Sequence, residues 1–209
     1  MNIILASTSP RRRELLDLLS ISFEVISPTC EEASSPDISP YEQAKQFALD
    51  KAESIAKQHQ GDLVLGSDTV IEIDGSLLGK PKDIKEAETM LRQLRGHCHQ
   101  VHTGLALIHQ ANNLSMALVE TAKVWIKPFN EDELKNYLET KESLGKAGAY
   151  SIQGQGATLI EKIKGDYPAI VGLPLWLTAG LLEEQGMKIG NSIEEIYLIR
   201  PYANWKEFS

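Results

Sequence analysis

The run Ser7-Thr8-Ser9-Pro10-Arg11-Arg12-Arg13 has the residue types of an anion site. Ser9 suits a helix N-cap and Pro10 a first helical position, so the backbone N–H groups of Arg11 and Arg12 would point out of the helix start. Such a terminus attracts anions through its N–H groups and its dipole. Arginines there oppose the dipole, at about 0.3–1 kcal/mol each, unless an anion binds. A solvated arginine run, or arginines paired with carboxylates, is an equally weighted alternative.

Lys51 and Asp68 are two further candidates for chemistry. Lys51 falls within an apolar helical face formed by Ala44, Phe47, Ala48, Ala52 and Ile55. Its ammonium either snorkels to the edge of the core or points into a cleft as a phosphate ligand. Asp68 stands between two apolar runs, where a carboxylate can hold a divalent cation, act as a general base or merely form a turn.

Two glycine-containing segments complete the set of candidates. Gly79-Lys80-Pro81 matches neither the Walker A motif nor the dinucleotide-binding motif, since both spacings are absent. In the segment 146–156, small residues allow close approach of a ligand, and the Gln153 amide can both donate to and accept from a base edge. The alternative for this segment is a bulged strand with glycine kinks.

The elements that must position these residues alternate between strands and helices, which predicts an α/β fold. The predicted strands are 3–6, 23–26, 63–65, 70–73, 101–109, 114–126 and 158–163. The predicted helices are 10–19, 40–59, 84–95, 131–139 and 172–185, with Ser39, Asp83 and Asn130 as N-caps. Asp74-Gly75 predicts a hairpin turn, the segment 146–156 is predicted as loop and strand, and the tail from about Met187 gives no clear signal.

Composition limits the classes of function. The 209 residues carry 21 Lys+Arg against 29 Asp+Glu, a net charge of -8, which disfavours a broad nucleic-acid-binding surface. Two cysteines are too few for a disulfide framework, and no apolar run approaches the ~20 residues of a membrane span. We therefore expect a cytoplasmic protein without a membrane or nucleic-acid partner. His97, His99 and His102 lack zinc-site spacing and are interpreted as surface or core histidines.

Taken together, the motifs resemble the Maf family of nucleoside triphosphate pyrophosphatases. They occur in the family's order over roughly residues 3 to 185. The motifs are Ser7-x-Ser9-Pro10-Arg11-Arg12, Glu31-Glu32, Lys51-Ala52, Gly66-Ser67-Asp68-Thr69, Gly79-Lys80-Pro81, His102-Thr103-Gly104, Lys146-Ala147-Gly148-Ala149-Tyr150 with Ile152-Gln153-Gly154, and Val171-Gly172-Leu173-Pro174. Two departures are mild: Ser67 where many members have Ala, and Ser151 where many have Gly or Ala.

The resemblance implies hydrolysis of a nucleoside triphosphate between its α and β phosphates, with Mg²⁺ or Mn²⁺. By this likeness Ser7, Ser9, Arg11 and Arg12 hold the phosphates, while Lys51 and Lys80 neutralise further charge. Asp68 is the proton acceptor, and Glu32, together with Asp68, is a metal or water ligand. The implied fold is a mixed, twisted sheet with flanking helices and two lobes around a nucleotide cleft, as in inosine triphosphate pyrophosphatases. One domain would span residues 1–186, followed by a tail of unknown role at 187–209, and a homodimer is possible.

Substrate choice follows from the same resemblance. The branch acting on dTTP and UTP has Arg, Thr and Gln where this chain has Arg12, Thr69 and Gln153, whereas the branch resembling 7-methyl-GTP pyrophosphatases has other residues there. The expected substrates are therefore dTTP, UTP and modified pyrimidine triphosphates. A regulator of septum formation that binds nucleotide without turnover is the alternative. A nucleic-acid binder using Arg11 to Arg13 is a weaker one, because of the net charge.

Overall fold

A computed structural model of the chain describes residues 1–30 and 37–208. Its strands are β1 (Ile3–Ala6), β2 (Glu24–Ile26), β3 (Leu63–Ile73), β4 (Ser76–Leu78), β5 (Cys98–His109), β6 (Leu114–Ile126) and β7 (Ile160–Lys164). Its helices are α1 (Pro10–Asp17), α2 (Pro40–Ala56), α3 (Ile84–Leu94), α4 (Glu131–Glu139), α5 (Tyr167–Val171), α6 (Leu175–Glu184), α7 (Ile193–Ile199) and α8 (Ala203–Glu207). The predicted α/β class is confirmed.

These strands form one mixed sheet in the described residues. Its order is β2-β1-β3-β5-β6-β7, and the short strand β4 pairs with β3 beside this path. Strand β1 runs parallel to both β2 and β3, whereas β3, β5, β6 and β7 pair antiparallel in turn. The predicted mixed sheet with flanking helices is therefore correct, and the carboxyl end of β1 opens directly into α1.

Strand β3 corrects one prediction. The sequence predicted two strands, 63–65 and 70–73, separated by Gly66-Ser67-Asp68-Thr69, but β3 is continuous over 11 residues. Its middle pairs with β5 without interruption, from Gly66 opposite Ala106 to Thr69 opposite Thr103. Gly and Asp are poor strand formers by local preference, and pairing with a long neighbouring strand overrides that preference.

The glycine-rich segment corrects another. A strand was predicted within residues 146–156, but this stretch holds 3-10 turns at Ala147–Ala149 and Gln155–Leu159. Gly148 and Ala149 have φ of 64° and 62°, in the left-handed region that interrupts extended backbone. A backbone with these φ angles cannot continue the hydrogen-bond ladder of a β-sheet, so the segment turns instead of extending.

Helix α2 lies unusually close to the sheet. Ala44, Ala48 and Ala52 recur every four residues on its buried face, and Gly66 and Gly104 stand opposite them. A Cβ atom at Gly66 would overlap the Ala48 carbonyl oxygen, and one at Gly104 would overlap that of Ala44. This approach of backbone to backbone brings the helix against the middle of β3.

The helix starts follow the predicted caps. The Ser39 hydroxyl accepts from the Glu42 N–H, and the Asp83 carboxylate accepts from the Glu86 N–H. Asn130 and Glu133 form the predicted capping box at the start of α4. Such caps satisfy N–H groups that have no partner inside the helix, which explains why these boundaries could be located from sequence.

The tail, which gave no clear sequence signal, is helical and packed. Trp205 on α8 is 3% exposed and belongs to the main hydrophobic cluster, which also contains Leu5, Leu65 and Leu105 of the sheet. Its ring stacks on that of Tyr167 at 5.5 Å between centroids. Across residues 1–30 and 37–208, no helix combines the length and apolar character needed to cross a membrane.

Candidate active site

A cavity of about 450 Å³ opens where β1 meets α1. Lining residues come from the start of α1, from α2 and β3, and from the glycine-rich segment. The cavity collects these residues singled out from sequence: Ser7, Ser9, Arg11, Arg12, Lys51, Asp68, Thr69, Lys80 and Gln153. Glu32, the remaining predicted site residue, lies outside the described residues.

The start of α1 forms one end of the cavity. Ser9 occupies the N-cap position, Pro10 follows it, and no acidic residue lies in the first turn. The Ser9 N–H donates to the Ser7 hydroxyl at 3.2 Å, which fixes the loop between the strand and the helix. The helix start thus lines the cavity, and the positive end of its dipole makes it suited to an anion.

Arg12 is held rigidly across the cavity. Its Nε donates to the Gly172 carbonyl at 2.7 Å, and its Nη2 donates to the Thr69 hydroxyl at 3.3 Å. Its Nη1 lies 3.5 Å from the Ser7 Oγ. Because the guanidinium is a planar fork of donors, three such contacts fix its plane before any ligand arrives.

Arg11 brings a second cation to the same space. Its Nη1 donates to the Ser151 hydroxyl at 2.9 Å. Burial, followed by the nearby Arg12 charge, lowers the pKa of the Arg11 guanidinium, and burial with the Arg11 charge lowers the pKa of the Lys146 ammonium. Crowded, partly desolvated cations are relieved by a bound anion, so this electrostatic arrangement favours a negatively charged ligand.

Asp68 sits at the centre of the site and is 5% exposed. The Lys51 ammonium donates to its Oδ1 atom, and Arg12 Nη2 lies 4.0 Å from the same oxygen. Lys51 is itself 6% exposed, so the alternative that it snorkels to the edge of the core is wrong. Asp68 lies in the middle of β3, so the turn-forming alternative is wrong as well.

Several supporting residues were given no role by sequence reasoning. The Thr103 hydroxyl donates to the Ala169 carbonyl at 2.7 Å and lies 3.0 Å from the Thr69 hydroxyl. The Ser67 hydroxyl lies 2.9 Å from the Gly172 carbonyl, the group that also holds Arg12. Thr103 and Ser67 both belong to motifs that the sequence analysis singled out, but the sequence did not indicate what they contact. Their contacts cross between strands, so they depend on the register of the sheet.

The segment carrying Gln153 also lines the cavity, and Ser151 within it accepts from Arg11. The Glu142 carboxylate accepts from the Gln155 N–H at 2.8 Å and from the Gly156 N–H at 3.1 Å. A Cβ atom at Gly154 would overlap this carboxylate. Glu142 thereby holds the turn just after Gln153, and no local pattern marked Glu142 as important.

The histidines agree with the structural interpretation. His99 is 2% exposed, and its Nε2 lies 2.8 Å from the Tyr150 hydroxyl. Burial lowers the pKa of His99 to about 4, so the ring is neutral at pH 7. His102 lies between Glu72 and Thr121 at 2.8 Å from each. Within the described part of the chain, no group of three or more His, Cys, Asp or Glu residues is arranged to hold a metal ion.

The oxygen donors that line the cavity are nevertheless of a kind that a hard divalent cation accepts. Mg²⁺ commonly uses one or two protein carboxylates and takes its other oxygen ligands from substrate phosphates and water. Asp68 supplies a carboxylate beside the predicted phosphate position, and the hydroxyls of Ser7, Thr8 and Ser9 line the same cavity. These are hard oxygen donors, which suit Mg²⁺ or Mn²⁺.

The chain is similar in sequence to known proteins. The family described as Maf-like protein matches residues 2–185. The chain is 42% identical over 188 residues to the dTTP/UTP pyrophosphatase of Dictyoglomus thermophilum, covering 90% of this chain and 97% of that protein. It is 46% identical over 176 residues to the dTTP/UTP pyrophosphatase of Thermoanaerobacter sp. strain X514, covering 84% and 92% respectively. Among solved structures, the Staphylococcus aureus Ham1 protein gives a TM-score of 0.47 at 17% identity, over 61% of this chain and 73% of that one.

Proposed function

The chain belongs to the Maf-like protein family, and we propose that it hydrolyses dTTP and UTP, releasing the nucleoside monophosphate and pyrophosphate. The observation that carries the proposal is the convergence of cations, hydroxyls and a buried carboxylate on one cavity of about 450 Å³. Hydrolysis of a phosphoanhydride needs charge neutralisation and an activated water, and this cavity offers groups for both tasks.

The phosphates are assigned to the α1 end of the cavity. Ser7 and Ser9 lie beside the helix start, and Arg11 and Arg12 approach from its first turn. Lys80 adds a further ammonium from the loop after β4. Fixed cations stabilise the negative charge that develops on the departing pyrophosphate, and Arg12 needs little reorganisation because its plane is already fixed.

We assign to Asp68 the role of accepting the proton of the attacking water. As the water oxygen bonds to the α phosphorus, the bond to the bridging oxygen breaks and the proton passes to the Asp68 carboxylate. Lys51 orients this carboxylate through its contact with Oδ1. A general base must lie within reach of the water it deprotonates, and Asp68 is the carboxylate among the described residues lining the cavity.

We assign Mg²⁺ or Mn²⁺ to Asp68, together with Glu32. A bound cation of this kind neutralises phosphate charge and polarises the phosphoryl oxygens. Glu32 enters on the family resemblance alone, because it lies outside the described residues. The carboxylate of Asp68 and the hydroxyls beside it are the structural support for this assignment.

Base selectivity is assigned to Gln153, with Arg12 and Thr69 beside the phosphates. A neutral amide both donates and accepts, which matches the carbonyl and N–H of uracil and thymine. A carboxylate only accepts and suits the donors on a guanine edge. Gln153→Glu should therefore lower the ratio of kcat/KM for dTTP to that for 7-methyl-GTP at least tenfold. An unchanged ratio would remove Gln153 from base recognition.

The reaction itself is tested by product analysis. Purified protein incubated with dTTP and Mg²⁺ should yield dTMP and pyrophosphate in equal amounts, followed by phosphorus NMR. Formation of dTDP and orthophosphate would contradict cleavage at the α–β bond. Tight dTTP binding without any product would instead support the septum-regulator alternative, since that function needs no turnover.

We also propose a cytoplasmic protein that assembles as a homodimer. The sequence has two cysteines, too few for a disulfide framework, which suits a reducing compartment. The homodimer rests on family resemblance, and light scattering of the purified protein would give its mass directly. A mass of 23.1 kDa would contradict the dimer.

A further inference from the structure

The C-terminal segment, residues 187–208, lies beyond the family match, which ends at residue 185. The relative from Dictyoglomus thermophilum is covered over 97% of its length while 90% of this chain is matched, so this chain has residues without a counterpart there. Residues 187–208 nevertheless contain α7 and α8 and pack on the domain.

One contact of the C-terminal segment reaches the segment that carries Gln153, to which base recognition is assigned and which we call the base end of the cavity. The Asn204 side-chain amide donates to the Ile152 carbonyl at 2.7 Å. The Ile152 carbonyl and the Gln153 N–H belong to one planar peptide unit, so fixing this oxygen fixes the plane from which Gln153 projects. Ile152 is 3% exposed, so its carbonyl depends on a protein donor to replace the water it has lost.

Neighbouring contacts anchor Asn204 itself. Trp205, the next residue, is 3% exposed and its ring is stacked on Tyr167 of α5 with an interplanar angle of 8°. The Tyr197 hydroxyl of α7 donates to Asp166 Oδ1 at 2.7 Å, and the other oxygen of Asp166 accepts from the Ala169 N–H at the start of α5. Two aromatic side chains therefore tie the C-terminal segment to the domain on either side of Asn204.

From these contacts we infer that Asn204 is a positioning residue for base recognition. It holds the Ile152–Gln153 peptide from outside the cavity, while Glu142 holds the turn that follows Gln153. The C-terminal segment thereby sets how strongly this chain discriminates between bases, an inference that rests on the proposed function. Asn204 contacts the Ile152 carbonyl, whereas Lys51 and Asp68 meet on other elements, so we expect the chemical step to be spared.

The test separates selectivity from chemistry. Asn204→Asp keeps the shape and removes the N–H donor, and Asn204→Leu removes it without adding charge. Both should raise the KM for dTTP about five- to tenfold, the factor expected for one hydrogen bond, and leave kcat within twofold. The ratio of kcat/KM for dTTP to that for dGTP should fall by a similar factor. Lys206→Ala, an exposed neighbour on the same helix, is the matched control and should behave like the wild type.

Amide hydrogen exchange gives a readout that does not need turnover. Peptides covering residues 150–157 should exchange faster in both Asn204 variants than in Lys206→Ala, while peptides from β3 stay unchanged. Unchanged exchange there, or an equal loss of kcat/KM for dTTP and dGTP, would overturn the positioning role. If the wild-type chain turns over no triphosphate, the proposed function fails, and the exchange data alone decide whether Asn204 orders the peptide.

Discussion

The two ends of the cavity are built in different ways. The phosphate end uses residues within or next to regular elements: the start of α1, the buried face of α2 and the middle of β3. The base end is a segment of 3-10 turns and glycines between Lys146 and Leu159. Helix and sheet hydrogen bonds order the backbone of the first, whereas the side chains of Glu142 and Asn204 hold the backbone of the second.

This difference has a physical reason. Phosphate is common to all nucleotides, so its binding groups can be fixed by the rigid framework of a sheet and a helix start. The base differs between nucleotides, and the turn to which we assign its contacts is held by hydrogen bonds from backbone and side chain involving Glu142 and Asn204. Substitutions at the phosphate end should therefore affect the chemical step, and those at the base end should affect KM and selectivity.

The largest effect is expected at the phosphate end. Asp68→Asn removes the proposed proton acceptor and should lower kcat about 10²–10⁴-fold, because general-base catalysis contributes on that scale. Steady-state pyrophosphate release with dTTP measures it. Asp74→Asn, at the exposed hairpin turn that ends the same strand, is the control. Activity of the Asp68 variant equal to that of the control would remove Asp68 from the mechanism.

The next effect concerns the stability of the fold at low pH, and it arises at His99, which contacts Tyr150 in the glycine-rich segment. The pKa of His99 is lowered to about 4 by burial, so the folded ring stays neutral while the unfolded chain takes up a proton below about pH 6.5. The contribution of the neutral His99 ring to the free energy of unfolding is fully present above pH 6.5. It is lost as the pH falls toward 4, by up to about 3 kcal/mol.

His99→Gln can keep a hydrogen bond to Tyr150 and should remove this part of the acid sensitivity. Urea unfolding at pH 7 and at pH 4.5 measures the difference. His97→Gln, exposed and two residues away, should show the full wild-type loss. If both variants lose stability equally on acidification, burial of His99 is not the cause.

A smaller effect is expected where α2 approaches the sheet. Gly66→Ala places a Cβ atom against the Ala48 carbonyl oxygen and should lower the free energy of unfolding by about 1–3 kcal/mol. The displaced helix would also carry Lys51 away from Asp68, so kcat should fall as well. Gly61→Ala, where a Cβ atom meets open space, should leave both quantities unchanged. Equal effects of the two substitutions would contradict the close-approach argument.

The smallest effect is expected at the turn after Gln153. Glu142→Gln keeps the shape but weakens the charged acceptor of two backbone N–H groups, and should raise the KM for dTTP about tenfold with little change in kcat. Glu139→Gln, exposed at the end of α4, serves as the comparison. A loss in kcat as large as that of Asp68→Asn would place Glu142 in the chemistry and break the contrast between the two ends.

Local patterns predicted a large part of the fold. The caps at Ser39, Asp83 and Asn130 were located because a capping hydrogen bond joins residues three apart in sequence. The break predicted in β3 was wrong, because pairing with β5 outweighs the low strand preference of Gly66 and Asp68. The packed tail around Trp205 gave no sequence signal, since its stacking contact with Tyr167 joins residues far apart in sequence.

By itself the sequence determined the residue types of the site and the order of its motifs. Each charged, hydroxyl or amide group belongs to a single residue and can be identified from the sequence. A helix start attracts anions through its own N–H groups and dipole. The tertiary structure alone decided which groups meet: Lys51 contacts Asp68 because Gly66 and Gly104 let α2 approach the sheet. It also decided that Glu142 and Asn204 hold the turn around Gln153. Those contacts join residues distant in sequence, and only the packing of sheet, helices and tail brings them within hydrogen-bonding distance.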